Sequence, residues 1–140
     1  MKGQYLTLEY VLFFSIGIVL VILVYGMFND TNDIISGNIR QHQIDSVTNM
    51  IAGVVVNVYE ASQQTDSLIR YKLEIPASVS DCTYSIFLSP SKNLLLECIN
   101  NRNISSQSHL YNFNIKMKNI LYSTRGSLTI MCSNGEVEIL

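Results

Sequence analysis

Residues 10–28 read YVLFFSIGIVLVILVYGMF, nineteen positions without a charge. Wound as an α-helix at ~1.5 Å per residue, such a run covers about 28 Å, close to the hydrocarbon thickness of a bilayer. A removed secretory signal has a shorter apolar core and an A-x-A-like cleavage site behind it. Here Asn29-Asp30-Thr31-Asn32-Asp33 follows instead, so the stretch reads as a retained membrane helix. Lys2 precedes the run, and Asp30 and Asp33 follow it. The positive-inside tendency then sets the N-terminus in the cytoplasm and the rest of the chain outside. Glu9 stands at the edge of the run. An ionisable group there is costly without a partner, which makes it a candidate for a specific pairing.

On the C-terminal side of this run no proline occurs before Pro76. Ile44, Val47, Ile51, Val54 or Val55, Val58 and Ser62 advance by threes and fours, the spacing of one helical stripe. Arg40, Gln43, Asp45, Asn49, Asn57 and Glu60 fill the other faces. The helix is therefore expected to run from about Gln4 to about Gln64, amphipathic in its second half. Its weak points are Gly26, the polar cluster at 29–33 and Ser36-Gly37-Asn38. A kink or short unwound stretch is expected there, because Gly, Asn and Asp disfavour helix interiors.

From Leu68 the period changes to two. Ile69, Tyr71, Leu73 and Ile75 alternate with Arg70, Lys72 and Glu74, and Pro76 ends the strand. Cys82, Tyr84, Ile86 and Leu88 alternate with polar neighbours and Phe87, and Ser89-Pro90-Ser91 turns into Leu94, Leu96 and Cys98. A hairpin pairing Ile86 with Leu94 brings Cys82 opposite Cys98, a candidate disulfide pair worth about 3 kcal/mol by loop closure. Tyr111, Phe113, Ile115 and Met117 form another alternating run. Asn134-Gly135 is a two-residue hairpin signal that pairs Cys132 with Val137 and Ile130 with Ile139. Cys132 then falls on the core face as a small buried hydrophobe. Some six short antiparallel strands are expected, giving an α+β chain: a long N-terminal helix followed by a small antiparallel β-sandwich-like domain. The expected divisions are a leader at 1–3, a transmembrane helix at 4–28, an amphipathic continuation at 29–66 and an extracellular β-domain at 67–140.

The remaining composition narrows the function. Net charge is −2, from nine basic and eleven acidic residues without a Lys/Arg run, which speaks against nucleic-acid binding. Three cysteines fit neither a full disulfide framework nor a paired C-x-x-C zinc site. His42 and His109 have no Cys, Ser or acidic partner at a catalytic spacing, and no nucleotide-binding or hydrolase motif occurs. No enzyme activity, metal or cofactor is expected. Asn29-Asp30-Thr31 and Asn103-Ile104-Ser105 are glycan-acceptor tripeptides if they lie outside the cell, making Asn29 and Asn103 candidate acceptors.

The N-terminus carries one resemblance. Lys2-Gly3-Gln4, then Thr7-Leu8-Glu9-Tyr10, then the unbroken apolar run, resembles the class III signal peptide of archaeal type IV pilin-like proteins. It covers residues 2–28 by motif and the rest only by architecture. The resemblance implies cleavage after Gly3 by a membrane aspartyl, prepilin peptidase-like enzyme, leaving Gln4 as the first residue. It further implies bundling of the apolar helices into a surface filament with β-domains facing outward. Glu9 would pair with a neighbouring subunit's N-terminal amine and set the register between subunits. Counted from Gln4, Glu9 is the sixth residue, whereas the family glutamate is commonly the fifth, and only Met1 and Lys2 precede Gly3. The competing expectation is a membrane-anchored binding module whose β-domain recognises an external ligand without polymerising.

Overall fold

A computed structural model describes residues 2–110 and 113–140, with side chains from residue 8 onward. The chain divides into two compact units, Met1–Gly37 and Asn38–Leu140. One helix, α1 (Lys2–Thr65), supplies every described residue of the first unit and the start of the second. It is followed by an antiparallel-rich β-domain, so the fold is α+β.

The helix is α-helical at every position through Gly26, 29–33 and 36–38. The expected unwound stretch is absent, for a local reason. A single Gly, Asn or Asp costs at most about 1 kcal/mol in a helix interior, too little to interrupt a helix already propagating on both sides. Thr31 adds to this, its hydroxyl donating to the Met27 carbonyl at 2.7 Å. The helix stops where Asp66 takes φ +47°, a left-handed residue that ends the ladder.

Within the second unit the helical stripe is the one the spacing predicts. Ile44, Ile51 and Val55 are wholly buried, Val47, Ala52 and Val58 nearly so, and Val54 only in part. Thr48 and Ser62 share this face but leave no polar group unmet. The Thr48 hydroxyl donates to the Ile44 carbonyl at 2.8 Å, and that of Ser62 donates to the Tyr59 carbonyl at 2.9 Å.

Among the described residues eight strands follow: β1 (Ile69–Glu74), β2 (Tyr84–Leu88), β3 (Asn93–Cys98), β4 (Ser105–His109), β5 (Asn114–Met117), β6 (Leu121–Tyr122), β7 (Ser127–Ser133) and β8 (Glu136–Ile139). They form two four-stranded sheets, ordered β1-β7-β8-β5 and β4-β3-β2-β6. The inward rows of both sheets, including Leu128, Ile130, Val137 and Ile139 on one and Ile86, Leu94 and Leu96 on the other, join the helical stripe in one hydrophobic core. The β1–β7, β7–β8, β2–β3, β3–β4 and β2–β6 pairings are antiparallel, but β5 runs parallel to β8 with Ile115 opposite Val137. The expected all-antiparallel count of six strands is corrected on both points. A parallel pair needs a long crossover, which β6, a short 3-10 turn (Ser123–Arg125) and β7 provide.

The β7–β8 hairpin has the expected register, Cys132 opposite Val137 and Ile130 opposite Ile139. Asn134 and Gly135 both have positive φ, +52° and +75°, as a type I′ turn requires. The β2–β3 hairpin differs from expectation by two residues. Ile86 faces Leu96, Tyr84 faces Cys98 and Leu88 faces Leu94. The loop is the cause. Lys92 donates its N–H to the Ser89 carbonyl at 2.9 Å and then takes φ +61°, so a turn plus one left-handed residue closes the hairpin. The slip is even, so the same side chains stay on the core face. Cys82 therefore lies before β2 instead of directly opposite Cys98. A short Val79–Cys82 bridge holds it there, with N–H···O distances of 2.8 and 2.9 Å.

Candidate functional site

The apolar helix of the first unit is the largest uncovered feature. From Leu8 to Phe28 its hydrophobic side chains are exposed around the whole circumference, Phe14 at 70% and Phe28 at 71% among them. Water would penalise this surface by about 25 cal/mol for each Å² of apolar area. It is one helix long and apolar enough to cross a membrane, among the described residues. Its few polar side chains suit a lipid environment. The Ser15 hydroxyl donates to the Val11 carbonyl at 2.8 Å, so neither group needs an outside partner. Gly17 leaves a notch flanked by Phe13, Phe14 and Val21, with open space where a Cβ would stand.

Glu9 is exposed on this helix and pairs with no described residue. Gly3 and Gln4, the expected processing site, fall within the helical backbone, but their side-chain surroundings lie outside the described residues. Of the two acceptor asparagines, Asn29 is exposed but locked in helix. Asn103 is exposed in a loop, its N–H taken by the Asn101 side-chain oxygen at 3.2 Å. A surface loop is the setting that such acceptors occupy. Tyr111 lies outside the described residues.

The cysteines separate into two kinds. Cys82 and Cys98 form a disulfide with 5.9 Å between their Cα atoms. It ties the start of β2 to the end of β3, where the strand ladder gives way to loops. Cys132 is free and fully buried, its Sγ 2.8 Å from Ser62 Oγ. The contact links helix to sheet inside the core, far from any solvent-borne reactant.

Tyr84 is the largest fully buried side chain among the described residues. Its hydroxyl donates to the Pro76 carbonyl at 2.7 Å. Burial disfavours the phenolate and pushes the pKa up to about 12. Beside it, Ser123 accepts the Tyr84 N–H at 3.1 Å and donates to the Ala77 carbonyl at 2.7 Å. This buried network holds the 76–77 segment and is structural in character.

Sequence reasoning missed one cluster. Arg70, Arg125, Ser127 and Thr129 line an open hollow of about 490 Å³ on the outer face of the β1–β7 pair. The alternation of β1 signalled that Arg70 faces outward. Nothing local signalled that antiparallel pairing would bring it beside residues almost sixty positions later. Among the described residues no group of three or more His, Cys, Asp or Glu gathers at metal-binding distance. No protein-family model, curated protein or solved structure matches the chain.

Proposed function

We propose that this chain is a structural, pilin-like subunit or accessory component of an archaeal surface filament. It associates through its apolar N-terminal helix. The observation that carries the reading is the uninterrupted, fully uncovered apolar helix that begins a few residues after Gly3-Gln4 and carries a single carboxylate, Glu9, at its start. In lipid, such a helix is satisfied alone. In a bundle of its own copies, the same surface packs against itself, and the notch at Gly17 lets a neighbouring backbone approach closely.

Glu9 fits the second setting better than the first. A carboxylate packed among apolar helices is strongly destabilising unless matched, and a mature amine at Gln4 of a neighbouring subunit supplies the match. The pair then fixes the rise between subunits. The β-domain, with its own core, faces outward from the bundle and carries the filament's surface chemistry.

Two measurements test this. Mass spectrometry of the mature chain is expected to find Gln4 at the N-terminus. Glu9→Ala is expected to leave the circular dichroism of the β-domain unchanged and to lower filament yield about tenfold or more, the factor that ~1.4 kcal/mol per contact produces. Undiminished filaments from that variant would remove the register role. The placement of Glu9 at the sixth position after the cut favours a second reading, a fixed membrane anchor for a binding domain. An intact Met1 in the mature chain would select it.

A further inference from the structure

The outer face of the β1-β7-β8-β5 sheet treats its cations in two ways. Lys116 of β5 and Lys118 just after it each meet a carboxylate, Glu136 at 2.5 Å and Glu138 at 3.0 Å. Arg70 and Arg125, at the other side of the same sheet, meet none among the described residues. Glu74 is the nearby acid on β1, opposite Ser127 in the ladder, and it forms no ion pair with either arginine.

The two unpaired guanidinium groups line one hollow. Register explains how. The β1–β7 ladder sets Arg70 opposite Met131, Lys72 opposite Thr129 and Glu74 opposite Ser127, which puts all six residues on one face, with Glu74 at the end away from Arg70. Arg125 comes from the 3-10 turn just before β7, whose left-handed Gly126 redirects the chain into the strand. The hydroxyls of Ser127 and Thr129 complete the lining and donate to no described group. Leu140, at the rim, has its N–H and one carboxylate oxygen bonded to Thr129 at 2.9 Å, and that carboxylate forms no ion pair with either arginine.

Two like charges facing one open hollow repel, and an anion between them relieves that repulsion. The donors also specify the kind of anion. Two guanidinium forks and two hydroxyls offer more hydrogen bonds than the two oxygens of a carboxylate accept, whereas a tetrahedral oxyanion presents three or four oxygens. We propose that this hollow binds a phosphate or sulfate group. Lys72, two residues along β1, extends the positive strip toward a second such group. The group can be a free ion or a substituent on an anionic polymer, and the chemistry of capture is the same.

The test uses the full chain in non-ionic detergent at low ionic strength, titrated calorimetrically with inorganic phosphate, inorganic sulfate and dextran sulfate. At least one probe is expected to bind saturably. Arg70→Gln and Arg125→Gln are each expected to weaken it about tenfold or more, and Thr129→Val about threefold without any change of charge. The double variant Lys116→Gln/Lys118→Gln removes two cations from the same sheet and is expected to change affinity less than about twofold. Circular dichroism checks that each variant is folded. If a free ion binds and displaces dextran sulfate, the site takes the isolated group. If dextran sulfate alone binds, and the arginine variants lose it, the ligand is the polymer-borne group. Absence of binding by all three probes would overturn the proposal. So would equal losses in the lysine and arginine variants, which would mean diffuse charge and not a site.

Discussion

Tyr84 shows how one residue ties the β-domain's stability to pH. Its phenol is buried, donates to the Pro76 carbonyl and has a pKa of about 12 in the folded state, against about 10 unfolded. The folded chain thus holds a proton that the unfolded chain releases between those values. Its stabilising contribution is complete below pH 10 and is lost as pH rises from about 10 to about 12, on the order of 2 kcal/mol. Tyr84→Phe removes the hydroxyl and leaves the Pro76 carbonyl without that donor. It is expected to cost about 1 kcal/mol at pH 7 in denaturant unfolding, and the gap to the parent chain should close near pH 11 and reverse above it. Parallel stability curves across that range would contradict the assignment. The alternation around Tyr84 was legible in the sequence, and so was its inward direction. Its partner was not, because Pro76 is met through a loop whose path no periodicity encodes. The cysteines divide the same way: their shared face could be read, while the place of Cys82 ahead of β2 depended on a loop residue.

At the scale of elements, legibility followed locality. The stripe from Ile44 to Val58 and the Asn134-Gly135 hairpin were both readable, since each is set by residues within a few positions of one another. The β2–β3 register slipped by two because Lys92, an ordinary lysine in the sequence, takes the left-handed conformation. The parallel β5–β8 pair depends on a crossover of three intervening elements. Side-chain alternation states which face is buried and says nothing about strand order. The hollow at Arg70 and Arg125 was hidden for the same reason. The turn that was readable also gives a direct test. Gly135 has φ +75°, and an added Cβ would lie 3.3 Å from Gln63 Nε2. Gly135→Ala is expected to destabilise the domain by about 1–2 kcal/mol, measured as a lower denaturant midpoint at unchanged m-value. A midpoint equal to the parent's would remove the strain argument.

Two kinds of surface meet in one chain. Residues from Asn38 onward bury an apolar stripe and two sheet faces in a single core, as a water-borne domain does. Residues 8–28 expose their apolar side chains all round, in a helix long and apolar enough to cross a membrane. This division was the most legible feature of the sequence, because nineteen uncharged residues need no tertiary context to be read. What surrounds the helix after synthesis is not written in one chain's pattern. The most direct measurement mixes the purified full-length chain with preformed lipid vesicles as detergent is removed, then floats them on a density gradient in high salt. The chain is expected to rise with the vesicles and stay with them at a salt concentration that strips charge-bound proteins. A chain left at the bottom of the gradient, monomeric and freely dissolved without detergent, would contradict the account at its root.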